Sequence, residues 1–234
     1  MALLEVLRQE KKYLLNYIEI QKLKYLLDET LHRDEFGEME KGYMVRSLYF
    51  DTPDNTDFME KSDGIRNRKK IRLRIYNPDS DNVKLELKEK QDDFQRKRSL
   101  TLTKSEALDM ISGKFDCLAK RGEDFAWEMY TLLEENLYRP SCIVEYDRIA
   151  WVVPENDIRI TLDGQIRATE SSYDLFSKDI MFYPVSDIGK MVLEVKFNRF
   201  LLSYVRDLLA GKERFQISAS KYSMARSISM HGTE

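Results

Sequence analysis

Basic residues recur at every second position in several segments of this chain, and carboxylates sit among them. In "RKKIRLRIY" (68–76), Lys70, Arg72, Arg74 and Tyr76 alternate with Ile71, Leu73 and Ile75. In "VKLELKEK" (83–90), Lys84, Glu86, Lys88 and Lys90 alternate with Val83, Leu85 and Leu87. "IRITLD" (158–163) sets Arg159, Thr161 and Asp163 against Ile158, Ile160 and Leu162. "KMVLEVKFN" (190–198) sets Glu194, Lys196 and Asn198 against Met191, Leu193, Val195 and Phe197, with Val192 an apolar exception among the charges. "RQEKKYL" offers Arg8, Glu10 and Lys12 in register, and "YDRIA" adds Arg148.

Side chains two apart on a strand share a face and lie ~6.6 Å apart along it. One such strand is an ordinary sheet with a solvated side. Five or six of them make a sheet large enough to curl or close. With helices packed over the apolar faces, the charged faces converge inside, where crowded cations repel one another unless a polyanion neutralises them. Arginine suits bidentate phosphate contacts and lysine acts as a point charge, so the ligand these residues predict is a chain of phosphates. Glu10, Glu86, Asp163 and Glu194 share the basic faces. Each either pairs with a basic neighbour or helps hold a hard divalent cation, Mg²⁺ or Mn²⁺, that bridges phosphate oxygens.

Other chemistry is excluded. His32 and His231 are the only histidines, too few for a histidine-rich zinc site, and they make an ordinary Ser-His-Asp triad an unattractive reading. Cys117 and Cys142 lack metal-type spacing and read as reduced residues in or near the core. "SGKFD" and "AGKERF" lack the glycine spacing of a phosphate-binding loop, and no kinase catalytic-loop pattern occurs. A net charge of −3 argues against nucleic acid as partner while leaving room for a basic pocket. The opening "MALLEVLRQEKK" is too short an apolar run for a signal peptide, and no stretch approaches ~20 apolar residues. The expectation is a cytoplasmic protein of one domain, 1–234, with no transmembrane segment.

The elements that must position these residues follow from the same pattern. A first strand lies around 8–14. "NYIEIQKLKYLLDETL" reads as a helix opened by Asn16 and Glu19, with Leu23, Leu26, Leu27 and Leu31 on one face. Strands follow at 43–52, 67–77, 82–91 and in "QRKRSLTLT", with a short helix or loop at 54–64 between the first two. Thr103 and Glu106 start a helix that Gly113 stops, and 123–137 is helical by pattern. Two long strands flank Pro154-Glu155-Asn156, a loop or minor strand covers 170–188, and "RFLLSYVRDLLAG" is a helix ending at Gly211. The sum is a strand-dominated antiparallel α+β domain of roughly eight or more strands.

"EKKYLL", "SLYFDTPD", "RKKIRLRIY", "KLELKEK", "YDRIAW", "IRITLD", "LEVK" and "SASKY", in this order from about residue 8 to 226, strongly resemble the VTC domain. That is the catalytic domain of the vacuolar transporter chaperone polyphosphate polymerase, in the triphosphate tunnel metalloenzyme (CYTH-like) superfamily. The resemblance implies a closed antiparallel β-barrel tunnel of about eight strands, with a charged interior and helices outside. It implies transfer of the γ-phosphate of ATP to a growing polyphosphate chain, with Mn²⁺ or a similar ion. By position, Lys12, Arg72, Arg74, Lys88, Arg148, Arg159 and Lys221 look like the catalytic basic lining. Lys70, Lys90, Lys196, Ser220 and Tyr222 look like phosphate-binding positions, although Tyr222 reads equally as packing. Glu194 looks like the principal metal ligand and Glu10 the first-strand acidic position. The departures are informative. The length leaves no room for the phosphate-sensing domain of the eukaryotic polymerase, and a membrane-protein partner stays open. The first-strand E-x-E-x-K motif of the phosphohydrolase relatives reads Arg8-Gln9-Glu10-Lys11-Lys12 here, which favours one metal site over two. A triphosphatase acting on inorganic triphosphate or nucleotides, or a silent polyphosphate-binding module, are the alternatives.

Overall fold

The computed structural model of the chain describes residues 6–35, 42–91, 94–187, 189–210, 216–218 and 220–231. In chain order the long strands are β1 (Val6–Leu15), β3 (Tyr43–Asp51), β4 (Arg68–Ile75), β5 (Asn82–Gln91), β6 (Phe94–Thr103), β7 (Arg139–Val153), β8 (Ile158–Thr169) and β10 (Met191–Phe197). Two strands, β2 (His32–Arg33) and β9 (Tyr183–Pro184), have two residues each. The helices are α1 (Tyr17–Thr30), α2 (Thr56–Ser62), α3 (Lys104–Ile111), α4 (Asp116–Ala119), α5 (Asp124–Glu135), α6 (Ser203–Leu209) and α7 (Lys221–His231).

The expected closed barrel is corrected. The strands form one ten-stranded antiparallel sheet, ordered β2-β7-β3-β4-β5-β6-β1-β10-β8-β9, with β2 and β9 as its edges. It curls into an open half-barrel with helices outside. Inboard of those edges β7 and β8 pair along their length, from Ile143↔Thr169 to Val153↔Ile158. Among the described residues β6 and β1 share three residue pairs, Val6–Arg8 against Gln95–Lys97. Beyond them β1 runs beside β10 from Gln9 to Leu15, and Tyr13 also bridges Gln216. The sheet nevertheless ends on two edge strands, β2 and β9, and so is not a closed barrel. Pro184 sits on the edge strand β9, where its missing N–H costs no ladder bond.

The convex side is apolar, as alternation requires. Ile71, Leu73 and Ile75 of β4 and Val83, Leu85 and Leu87 of β5 are buried beneath α3, α4 and α5, against Met110, Leu118, Phe125 and Met129. Ile158, Ile160, Leu193 and Val195 are buried with Leu23 and Leu27 of α1 and Val205 of α6. Asn16 accepts the Glu19 amide and the Glu19 side chain accepts the Asn16 amide, so α1 starts as a full capping box. Leu26 departs from the expected buried face and is 44% exposed.

A third apolar cluster lies on the concave side. Val45, Cys142, Val144, Ile166, Ala168 and Val192 pack there with Tyr222 and Ala225 of α7. The concave face is therefore divided into a charged part and an apolar part sealed by α7. Val192, the exception in its row of charges, belongs to the sealed part.

Candidate active site

The charged part of the concave face encloses a cavity of about 440 Å³. Strand alternation aims Glu10 and Lys12 of β1, Lys70, Arg72 and Arg74 of β4, Lys88 and Lys90 of β5, Arg148 of β7, and Glu194 and Lys196 of β10 into it. Ser220 and Lys221 enter from the start of α7. Twelve lysines and arginines line the cavity against three glutamates. A chain with net charge −3 has therefore gathered a large local excess of positive charge.

Glu194 is the hub. Its Oε1 lies 3.0 Å from Lys221 Nζ and 3.3 Å from Lys12 Nζ, and its Oε2 lies 3.2 Å from Lys196 Nζ and 3.7 Å from Arg148. Burial opposes its ionisation, but Lys12, Lys221, Lys196 and Arg148 outweigh that and hold its carboxyl well below the usual range. Glu10 is held low in the same way: burial raises it, while Lys88 at 2.8 Å and Lys12 at 3.5 Å win. Behind Glu194, Arg148 makes paired 2.7 Å bonds to Asp163, whose Oδ2 is also 2.5 Å from Lys221 Nζ. Glu86 anchors Arg72 at 2.7 Å and Lys97 at 2.6 Å, with Arg74 at 3.7 Å. Glu86 and Asp163 thus orient the arginines from behind. Lys88 is pushed down to about 8, by burial first and by Lys12 and Lys196 against the pull of Glu10. Aromatic faces complete the wall: Lys221 Nζ and the Arg148 guanidinium lie 4.7 and 5.2 Å from the Tyr146 ring, and Arg72 lies 5.7 Å from that of Tyr49.

Of the residues expected to be catalytic, phosphate-binding or metal-binding by resemblance, all but two line the cavity. Arg159 does not line the cavity and is hydrogen-bonded to Asp34 and, at 2.8 Å, to Tyr43 Oη. Tyr222 is buried outside the cavity lining, stacks on Tyr49 with centroids 4.9 Å apart, and donates its hydroxyl to Asp51. The side chain of Arg8 lies outside the described residues, as does Gly211. Sequence reasoning missed Lys61, Arg68, Lys69, Tyr49 and Tyr146. Arg68 and Tyr146 continue the alternation of Lys70 and Arg148 and could have been found by extending it. Lys61 lies on α2, and nothing in the sequence marks its approach.

The donor set bears on a divalent ion. No group of three or more metal-type side chains exists among the described residues. Glu10 and Glu194 nevertheless converge, since both lie within 3.5 Å of Lys12 Nζ. Mg²⁺ and Mn²⁺ are commonly held by one or two carboxylates with phosphate oxygens and water supplying the rest. The residues suit an ion that arrives with phosphate.

The VTC domain profile matches residues 7–230. No curated protein matches the chain. Among solved structures, the Hippeastrum protein HpAC1, assigned as an adenylyl cyclase and reported to show a dominant triphosphatase activity, is 13% identical with a TM-score of 0.51, covering 93% of this chain and 95% of its own. A Bacillus halodurans protein assigned as an adenylate cyclase is 15% identical with a TM-score of 0.49, over 88% of this chain and 87% of that one. The PH1819 protein of Pyrococcus horikoshii OT3 is 13% identical with a TM-score of 0.48, over 93% and 97%. At 13% identity the likeness to the Hippeastrum protein is one of fold. The profile match carries more: the chain belongs to the VTC domain family, within the CYTH-like triphosphate tunnel metalloenzyme superfamily, whose chemistry is phosphate transfer.

Proposed function

We propose that this VTC-domain chain binds a triphosphate in its basic cavity and cleaves the terminal phosphoanhydride bond, with water as the acceptor. The observation that carries this reading is the excess of basic side chains around two ionised carboxylates, Glu10 and Glu194. Phosphoryl transfer needs positioning and charge neutralisation more than covalent help from protein. Arg72, Arg74, Lys88 and Arg148 hold the phosphates in line, and Lys12 and Lys221 neutralise oxygens around the breaking bond. Glu10 and Glu194 would hold a divalent ion, Mn²⁺ or Mg²⁺, which when bound draws charge off the phosphate oxygens. The triphosphatase activity reported for the Hippeastrum protein supports water as acceptor.

A second reading has its own support. The VTC match favours transfer from ATP to the end of a polyphosphate chain. That acceptor is itself an oxyanion, which suits a cavity where Glu10, Asp163 and Glu194 are held ionised by basic neighbours and none is tuned as a base.

Incubation with Mn²⁺ and either ATP or inorganic tripolyphosphate separates the acceptors. Orthophosphate release without long chains on a gel supports hydrolysis, and long chains from ATP support the polymerase. Arg74 bonds Ser47 at 3.1 Å and Tyr146 at 3.3 Å, so its guanidinium is positioned before ligand arrives. Arg74→Ala is expected to cut turnover about 10²–10³-fold with unchanged circular dichroism. Unchanged turnover in that variant removes the basic cavity as the reaction site.

A further inference from the structure

Lys70 stands apart from the lysines gathered around Glu10 and Glu194. Lys12, Lys88, Lys196 and Lys221 each lie within 3.3 Å of a carboxylate oxygen. Lys70 Nζ instead donates to Ser220 Oγ and lies 5.6 Å from the Tyr222 ring centroid, with no carboxylate partner among the described residues. Across the ladder it is paired directly with Lys88, and like charges in that arrangement destabilise a sheet. Lys12 of β1, Lys61 of α2 and Arg68 of its own strand also face it. An ammonium drawn partly out of water, among cations and without an anion, is relieved by losing its proton. The Ser220 hydroxyl tolerates this, because it can accept from an ammonium or donate to a neutral amine.

We propose that Lys70 is an uncharged amine in the empty cavity and that a bound phosphate chain recharges it, so that triphosphate enters together with a proton. The proposal rests on the cavity being the triphosphate site. Burial, with Lys12, Lys88, Lys61 and Arg68 around it, drives the Lys70 pKa well below the ordinary lysine value in the absence of ligand. A polyanion beside it reverses the sign of the local field. Lys70 then selects by charge density: several adjacent phosphates supply enough negative charge to reprotonate it, and a single orthophosphate does not. Affinity for the chain falls as pH rises, because the proton becomes harder to obtain.

Titration calorimetry tests this with inorganic tripolyphosphate, without divalent ion so that no turnover occurs, above the last ionisation of the ligand. Runs in two buffers of different ionisation enthalpy report the protons exchanged. Lys88, held at about 8, also takes up a proton from such a pH, so the readout is a difference: the wild type is expected to take up about one proton per ligand more than either Lys70 variant. Lys70→Met is expected to bind more weakly, with uptake lower by about one proton. Lys70→Arg, permanently charged, is expected to show the same lowered uptake with little loss of affinity. Equal heats in both buffers for the wild type, or undiminished uptake in Lys70→Met, overturn the proposal while leaving the triphosphate site standing. Failure of the wild type to bind tripolyphosphate overturns the site itself, and the proposal with it.

Discussion

Asp57 is a buried carboxylate that the cavity chemistry does not use. Tyr138 donates to its Oδ1 at 2.9 Å, Lys69 lies 3.8 Å away, and Oδ2 is buried without a hydrogen-bond partner. Burial, then the nearby Asp51 charge, pushes its pKa up to about 7. The folded chain therefore binds this proton more tightly than the unfolded chain. The resulting stability is fully present below the ordinary carboxyl range and is lost as pH rises through about 7. The shift corresponds to at most about 4 kcal/mol. The melting temperature should fall between roughly pH 4 and 7, and Asp57→Asn should flatten that fall by keeping the Tyr138 bond without the charge. Parallel pH profiles for wild type and variant would show that Asp57 is not the group responsible. At this scale the sequence was legible wherever alternation carried the signal, as for Arg72, Arg74, Lys88 and Glu194. It was silent on Asp57, whose burial comes from α2 lying against Tyr138.

Elements were legible where a local device defines them. The Asn16–Glu19 and Thr103–Glu106 capping boxes both form, and Gly113 takes φ +81° just beyond α3. α4 has four residues and α6 only seven, beginning at Ser203 where a helix from 199 was expected. "KYSMARSISMH" carries no strong apolar period, so α7 went unread, although it holds Lys221 in the cavity and seals the apolar part of the concave face. Gly42 shows how closely elements approach beside the site. It has φ +76°, and a Cβ there would lie 2.1 Å from the Arg148 carbonyl oxygen of β7. Gly42→Ala must push the start of β3 off the strand that carries Arg148. A loss of about 1–3 kcal/mol in denaturant unfolding is expected, together with reduced phosphate turnover. An alanine variant equal to wild type in both measurements would mean that this approach does not position Arg148.

The whole molecule stores repulsion in its cavity and tolerates it through Glu10, Glu86, Asp163 and Glu194, with a ligand left to supply the balance. Inorganic tripolyphosphate should therefore raise the melting temperature. The gain is about 2.7 kcal/mol at a hundredfold excess over Kd and should shrink with added salt. A salt-independent shift, or none, would contradict a charge-driven site. The sequence by itself determined which side chains share a strand face, hence the charged and apolar surfaces, because alternation is a local property of the extended backbone. It also carried the order of motifs that places the chain in its family. Tertiary structure alone decided the path of the wall: the sheet ends on β2 and β9, an open half-barrel where a closed one was expected. It alone turned Arg159 toward Asp34, brought Lys61 to the cavity, and filled part of the concave face with α7. Stagger between strands and the docking of distant segments depend on contacts far apart in the chain, which no local period encodes.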